Sequence, residues 1–174
     1  MKYLVVVDMQ KDFVDGSLGS PAAQKIVDNV CRLIAGYKTG GVIYATMDTH
    51  FKNYLETSEG KQLPVKHCIK GSEGWELDKR VSAALDGKAQ IFEKLTFGSI
   101  DLAKTLADKL DVNDTVELCG LCTDICVVSN ALLIKAYCPE NEIIVRSSCC
   151  AGVSEESHRA ALATMRSCQI NVIE

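Results

Sequence analysis

Glu117-Leu118-Cys119-Gly120-Leu121-Cys122-Thr123-Asp124-Ile125-Cys126-Val127 changes its period at Gly120. Residues 114–119 form an apolar run that reads as a strand, and residues 124–137 follow helical spacing. A strand feeding directly into a helix is the repeating unit of a parallel α/β sheet. The alternation extends in both directions from this stretch. Residues 3–7, 42–46, 89–93, 142–147 and 169–173 read as further strands. They are rich in Val and Ile and lack strict alternation, which suits a sheet covered on both faces. Residues 21–37, 75–86, 100–110 and 156–167 carry helical spacing. Ser20-Pro21 and Ser154-Glu155 are start signals, and Gly36, Gly40 and Gly87 are stop signals.

The 174 residues fit a single domain by the usual prior of roughly 100–200 residues. A chain of that size buries enough surface to hold together without its nine cysteines as cross-links. The opening run Met1–Asp8 is too short for a signal peptide or a membrane span. Reduced thiols in a cytoplasmic protein are therefore expected. A net charge of -4 argues against nucleic acid or an anionic membrane as partner and leaves a small, weakly charged ligand. Residues His50 to Glu73 are polar, aperiodic and long for a connection, and such segments usually carry function.

In an open parallel sheet, ligands bind outside the carboxyl ends of the strands. The residues able to do chemistry fall at those ends. Asp8 follows the first strand, Asp48 and His50 the second, Lys94 the third, and Cys122 to Cys126 the fourth. Each has a plain structural reading. Asp8 can be a turn carboxylate, Lys94 a solvated surface lysine, and Cys126 a small buried hydrophobe. Taken together they suggest a Cys–Asp–Lys set. In it Cys126 is a nucleophile whose pKa the helix N-terminus lowers, Asp8 its base, and Lys94 the charge keeping Asp8 ionised. Asp48 and His50, two apart on an extended segment, can point the same way. With His67, one of only three histidines, they can form an Asp/His/His site for Zn²⁺, Mn²⁺ or Fe²⁺. His158 reads as a surface or capping residue. Cys119 and Cys122 have CxxC spacing, but no second pair completes a zinc site, and Cys119 still belongs to the strand. Cys31, Cys68, Cys138, Cys149, Cys150 and Cys168 read as packing thiols, and Trp75 and Phe97 as core aromatics.

Three motifs carry a resemblance. Val6-Val7-Asp8-Met9-Gln10-Lys11-Asp12-Phe13, Glu93-Lys94-Leu95-Thr96-Phe97-Gly98-Ser99 and Gly120 to Val127 resemble the isochorismatase-like cysteine hydrolases, and the nicotinamidases among them most closely. The stretch from Ala151 through Leu162 is similar to the family's last helix, so the resemblance spans nearly the whole chain. It implies a three-layer α/β/α domain over residues 1–174 with a central parallel sheet of about six strands. It implies Asp8, Lys94 and Cys126 as catalytic residues. A cis peptide at Leu121-Cys122 would accompany an oxyanion hole made from the backbone N–H groups of Cys122 and Cys126. The Asp48, His50 and His67 pattern matches the nicotinamidase metal ligands, with zinc expected, and isochorismatases proper lack it.

Two departures bear on the pocket wall, which is expected to be built from Phe13, Leu121, Cys122 and the 50–73 segment. Thr49 stands where nicotinamidases often have tryptophan, and Pro64-Val65-Lys66 replaces a Trp-Pro. The expected function is cysteine-dependent hydrolysis of a small amide, nicotinamide foremost, through a thioester on Cys126, a reaction of NAD salvage. The rivals are an amidase for carbamoyl or ureido compounds, an isochorismatase, and a non-catalytic metal-binding or thiol-redox protein. Vinyl ether hydrolysis needs an acid and no thiolate, so Cys126 speaks against the isochorismatase. Assembly into a homo-oligomer is compatible with this reading.

Overall fold

The structure is a computed structural model describing residues 1–174. Six strands form one sheet: β1 (Lys2–Val7), β2 (Gly41–Asp48), β3 (Gln90–Lys94), β4 (Thr115–Leu121), β5 (Glu142–Ala151) and β6 (Asn171–Ile173). Every pairing is parallel and the spatial order is β3-β2-β1-β4-β5-β6. The order reverses between β1 and β4, and a crevice opens beyond the strand ends at such a reversal. Helices α1 (Lys11–Val14), α2 (Pro21–Tyr37), α3 (Ser58–Gln62), α4 (Lys79–Leu85), α5 (Ile100–Lys109), α6 (Val128–Tyr137) and α7 (Glu155–Ser167) complete the chain. No helix is long and apolar enough to cross a membrane.

Successive side chains of a strand point to opposite faces, and β1 shows why its run is continuously apolar. Tyr3, Val5 and Val7 pack with Leu102 and Leu106 of α5, Ile134 of α6 and Met165 of α7. Leu4 and Val6 pack with Val27, Val30 and Ile34 of α2 and with Val81 and Leu85 of α4. Both faces of the sheet are covered, giving the expected three layers. Burying each such side chain contributes about 1.5–3 kcal/mol. The start signals hold. Ala23 N–H donates to Ser20 Oγ at 3.0 Å, and Ser154 forms a reciprocal capping box with Ser157 at the head of α7.

Several boundaries differ from expectation for identifiable reasons. The helix expected over 75–86 begins only at Lys79, because Asp78 caps it by accepting from the N–H groups of Arg80 and Val81. Residues 76–78 are drawn against the segment after β1, with Lys11 N–H donating to Glu76 O at 2.9 Å and Asp78 N–H to Met9 O at 2.8 Å. The helix expected over 124–137 is split, since Thr123–Val127 is a π turn and α6 follows it. Gly36 lies inside α2 and does not stop it. The last strand starts at Asn171, after Gln169 turns the chain at φ 63°. Within the 50–73 segment, a 3₁₀ turn at Tyr54–Glu56 and the five-residue α3 are too short to leave a periodic signal.

Gly120 is fixed by space. Its φ is 123°, and a Cβ there would sit 2.1 Å from Val7 O on the paired strand. Gly120→Ala should therefore lower stability by about 3 kcal/mol or more. Gly36 is exposed within a helix, and a Cβ added to it would meet nothing within 4 Å. Gly36→Ala should accordingly gain about 0.5–1 kcal/mol. Urea midpoints at unchanged m-value check both signs.

Candidate active site

Asp8 ends β1 in a left-handed conformation, φ 46°, and is fully buried. Thr46 on β2 donates its hydroxyl to Asp8 Oδ1 at 2.7 Å. Asp8 Oδ2 lies 2.7 Å from Lys94 Nζ, a contact between two buried, oppositely charged groups. Lys94 ends β3, two strand spacings (roughly 10 Å) from β1, so only a long side chain can make this contact across β2. Its ammonium also donates to Asp48 Oδ1 at 3.3 Å and to Cys126 Sγ at 3.5 Å. The three residues expected to act together do converge, with Cys126 alone of them lining the crevice.

The charges in this cluster are set by burial and by one another. Burial pushes the Asp8 carboxyl above its ordinary value and Asp48 adds to the shift, while Lys94 and Thr46 pull it part of the way back. Burial works against the Lys94 ammonium, but Asp8, Cys126 and Asp48 more than offset it and hold it protonated above the usual lysine range. Cys126 departs from expectation. It lies inside the π turn, and burial raises its thiol well above the ordinary value, with Asp8 adding to the shift and Lys94 opposing it. The resting residue is a neutral thiol beside a carboxylate, so the helix N-terminus does not dominate its ionisation. Burial likewise pushes the neighbouring Cys122 thiol up to about 12.

The π turn is fastened from several sides. Val127 N–H reaches back to Cys122 O at 3.0 Å. Asn130 Nδ2 donates to Cys126 O at 2.8 Å and to Phe97 O at 3.0 Å, while its Oδ1 accepts from Ser99 N–H at 2.9 Å. Sequence reasoning passes over Asn130, whose signal is merely an amide on a helix. His158 is no plain surface residue, because its Nδ1 pairs with Thr123 Oγ1 at 2.8 Å. The Leu121-Cys122 peptide is cis, and the Cys122 N–H donates to no backbone carbonyl.

A second cluster adjoins the first. Asp48, His50 and His67 meet as expected, and Glu59 from α3 joins them, with one ligand atom of each lying within 4.8 Å of the others. His50 N–H donates to Cys68 O at 2.9 Å and Lys70 N–H to His50 O at 2.8 Å, which lays residues 68–70 beside His50 and delivers His67. His67 Nδ1 faces Val65 O at 2.8 Å, so Nδ1 carries the proton and Nε2 presents a lone pair. His50 Nε2 is buried without a hydrogen bond, 3.0 Å from Asp48 Oδ2. Burial opposes ionisation of Asp48, and the Lys94 ammonium beside its Oδ1 helps hold the carboxyl below the ordinary range. Two imidazoles and two carboxylates aimed at one point, with an orphaned ring nitrogen among them, fit a divalent transition metal. Glu59 escapes sequence reasoning because nothing marks one glutamate in a polar segment.

The residues between these clusters hold them in register. Gln10 Oε1 accepts from Asp48 N–H at 2.7 Å, and its Nε2 donates to Asp48 O and to Trp75 O, both at 2.8 Å. Asp12 Oδ2 accepts from Cys68 N–H at 2.8 Å. Thr49 does not shape the wall as expected. It is buried, and its hydroxyl accepts from Trp75 Nε1 at 2.9 Å. Phe97 stands at the cavity rim and not in the core. The cavity, about 1040 Å³, is lined by Phe13, Leu121, Cys122, Cys126, His50, Glu59 and His67 among others, so the expected wall residues do face it.

Residues 2–174 match the isochorismatase domain. The chain is 29% identical over 174 residues to PncA of Bacillus subtilis (strain 168), an uncharacterized isochorismatase family protein, with 92% of each chain covered. The crystal structure of nicotinamidase/pyrazinamidase PncA from Bacillus subtilis superposes with a TM-score of 0.87 at 27% identity, covering 99% of both chains. The pyrazinamidase of Pyrococcus horikoshii in complex with zinc superposes with a TM-score of 0.84 at 29% identity, covering 99% of this chain and 98% of that one.

Metal-stripped protein should take up one divalent transition ion per chain, followed by calorimetry and elemental analysis. His67→Ala should weaken that uptake by about 100-fold or more and Glu59→Gln by less, with acidification releasing the ion as ligands protonate. Undiminished affinity in a His50→Ala/His67→Ala protein would overturn the assignment.

Proposed function

For a chain that belongs to the isochorismatase family, we propose hydrolysis of a small planar carboxamide, nicotinamide foremost, to the carboxylate and ammonia. The observation that carries this reading is the contact set of Asp8, Lys94 and Cys126, with Cys126 lining the cavity. The names of the similar structures, a nicotinamidase/pyrazinamidase and a pyrazinamidase, support the choice of substrate.

In the proposed reaction Cys126 Sγ attacks the amide carbon while the Asp8 carboxylate takes the thiol proton. The carbonyl electrons move to oxygen, where the N–H groups of Cys122 and Cys126 receive the developing charge. Removing one such donor typically costs on the order of 3–4 kcal/mol of barrier. Asp8 then passes its proton to the departing nitrogen, the C–N bond breaks, and ammonia leaves a thioester on Cys126. Water attacks that thioester with Asp8 again accepting a proton. Collapse expels the Cys126 thiolate, which recovers the proton from Asp8, and frees the carboxylic acid, which gives its own proton to solvent and leaves as the carboxylate. Lys94 keeps Asp8 in place and balances its charge between proton transfers. A divalent ion held by Asp48, His50, Glu59 and His67, zinc by preference, would supply an electrophilic anchor for a ring nitrogen of the substrate.

The raised thiol of Cys126 agrees with this order of events. A protonated nucleophile needs a base nearby, and the Lys94 contacts shared by Asp8 and Cys126 support Asp8 in that role. Cys122 also faces the cavity, but its contribution is proposed through its N–H and not its thiol.

Ammonia release from nicotinamide, pyrazinamide, benzamide and a ureido compound tests the reading. Nicotinamide and pyrazinamide should be turned over, and benzamide, lacking the ring nitrogen, should be much poorer. Release from the ureido compound alone would favour the sister amidase. Cys126→Ala and Asp8→Asn should each lower kcat on the order of 10³-fold or more while remaining folded, whereas Cys122→Ala should retain most turnover. Near wild-type turnover by Cys126→Ala would sink the mechanism.

The pH profile follows from Asp8. Its ionised form is the active one, so kcat/KM is present above its pKa and lost as pH falls through it. Because that pKa is raised, the acid limb should lie above the ordinary aspartate range. Metal content measured across the same pH series separates this limb from loss of the ion.

A further inference from the structure

The cavity above Cys126 exceeds what the proposed amide needs. Packed at protein density, a bare pyridine carboxamide occupies roughly 150 Å³, against a cavity of about 1040 Å³. The lining is also divided by chemistry. Its ionisable side chains other than the two cysteines, His50, Glu59 and His67, all belong to the metal-ligand cluster. Its apolar members include Leu18, Leu63, Leu95, Phe97, Ile125 and Val153, interspersed with the neutral polar side chains of Ser20, Gln62 and Thr96. These apolar residues come from separate connections: the one after α1, the one after α3, the one after β3, the π turn and the one after β5. Four of them are markedly exposed, at 38% for Leu63, 68% for Leu95, 42% for Phe97 and 69% for Val153. Single exposed apolar residues are ordinary, but a set lining one cavity marks a binding surface.

We propose that this apolar vestibule is a second subsite, and that the substrates suited to the chain are neutral aromatic carboxamides bearing an apolar ring substituent. The inference rests on the amide-hydrolase reading and extends it. The ring and amide occupy the floor beside Cys126, between Phe13 and Leu121, and the substituent extends toward Leu95, Phe97 and Val153. No cationic side chain lines the vestibule, so a carboxylate or phosphate on the substituent finds no opposite charge there. Continuity with the floor commits the surface to part of the same small molecule.

The test uses the full-length, metal-loaded chain with nicotinamides carrying methyl, propyl, phenyl or carboxylate at ring C5 or C6. Propyl or phenyl at one of the two positions should raise kcat/KM about tenfold over nicotinamide, mainly through KM, and carboxylate should lower it. A Leu95→Ser/Val153→Ser protein should bring the ratio of substituted to bare amide back toward one. Calorimetry of the same amides on Cys126→Ala reads the subsite without turnover and should rank the compounds in the same order. If nicotinamide is hydrolysed but apolar substituents weaken both kcat/KM and binding, the subsite is refuted and the parent reading stands. If no amide releases ammonia, the parent reading fails, and the calorimetric order alone decides the subsite. A tenfold gain that survives the double substitution would also overturn the proposal, because the vestibule would then not be its source.

Discussion

The buried ammonium of Lys94 is the point on which the site depends. It touches Asp8 from β1, Asp48 from β2 and Cys126 from the π turn after β4, so one charge joins chain segments from across the sheet. Two carboxylates buried this close would repel each other and resist ionisation without a cation between them. Deleting one partner of a buried ion pair typically costs about 3–5 kcal/mol, because the remaining charge is left uncompensated. Asp48 carries the coupling onward. Its Oδ1 faces Lys94 while its Oδ2 faces His50 and His67, so the Asp8–Lys94–Cys126 cluster and the cluster of histidines share one carboxylate.

The sheet makes this arrangement possible by where it reverses its strand order. Asp8 and the π turn bearing Cys126 follow adjacent strands, β1 and β4, whose crossovers lead to opposite sides of the switch point. Close approach there is steric as well as topological, since Gly120 lies against Val7 with no room for a Cβ. Gln10 grips the backbone of Asp48 on both its N–H and its C=O, and Asp12 holds Cys68 beside His67. The short motif from Asp8 to Asp12 thus serves both clusters, with alternate residues each making a different attachment.

Polarity in the cavity follows the same division. Apart from Cys122 and Cys126, the ionisable side chains lining the cavity are His50, Glu59 and His67, and the loops that supply Leu18, Leu95, Phe97 and Val153 bring no charged side chain to it. Thr49 illustrates how a substitution that looks decisive in one dimension can be quiet in three. Its hydroxyl is consumed by Trp75 below the cavity, so the wall is set by Phe13, Phe97 and the residues around α3.

Much of the architecture is legible in the chain because parallel strands buried on both faces leave dense apolar runs. Capping residues such as Ser20 and Ser154 act within a few residues of themselves, which is why they too can be read. The strand-end rule turns those runs into a site, placing Asp8, Asp48, His50, Lys94 and Cys126 at one crevice from residue order alone. What sequence cannot supply depends on distance through space. Glu59 joins Asp48, His50 and His67 from a five-residue helix with no periodic signature, and Asn130 holds the π turn through contacts to residues four and more than thirty positions away. The ionisation of Cys126 runs against its sequence reading for the same reason. A helix N-terminus is a local feature visible in the residue order, whereas desolvation by the surrounding layers exists only once the chain has closed around the thiol, and there it is the larger effect.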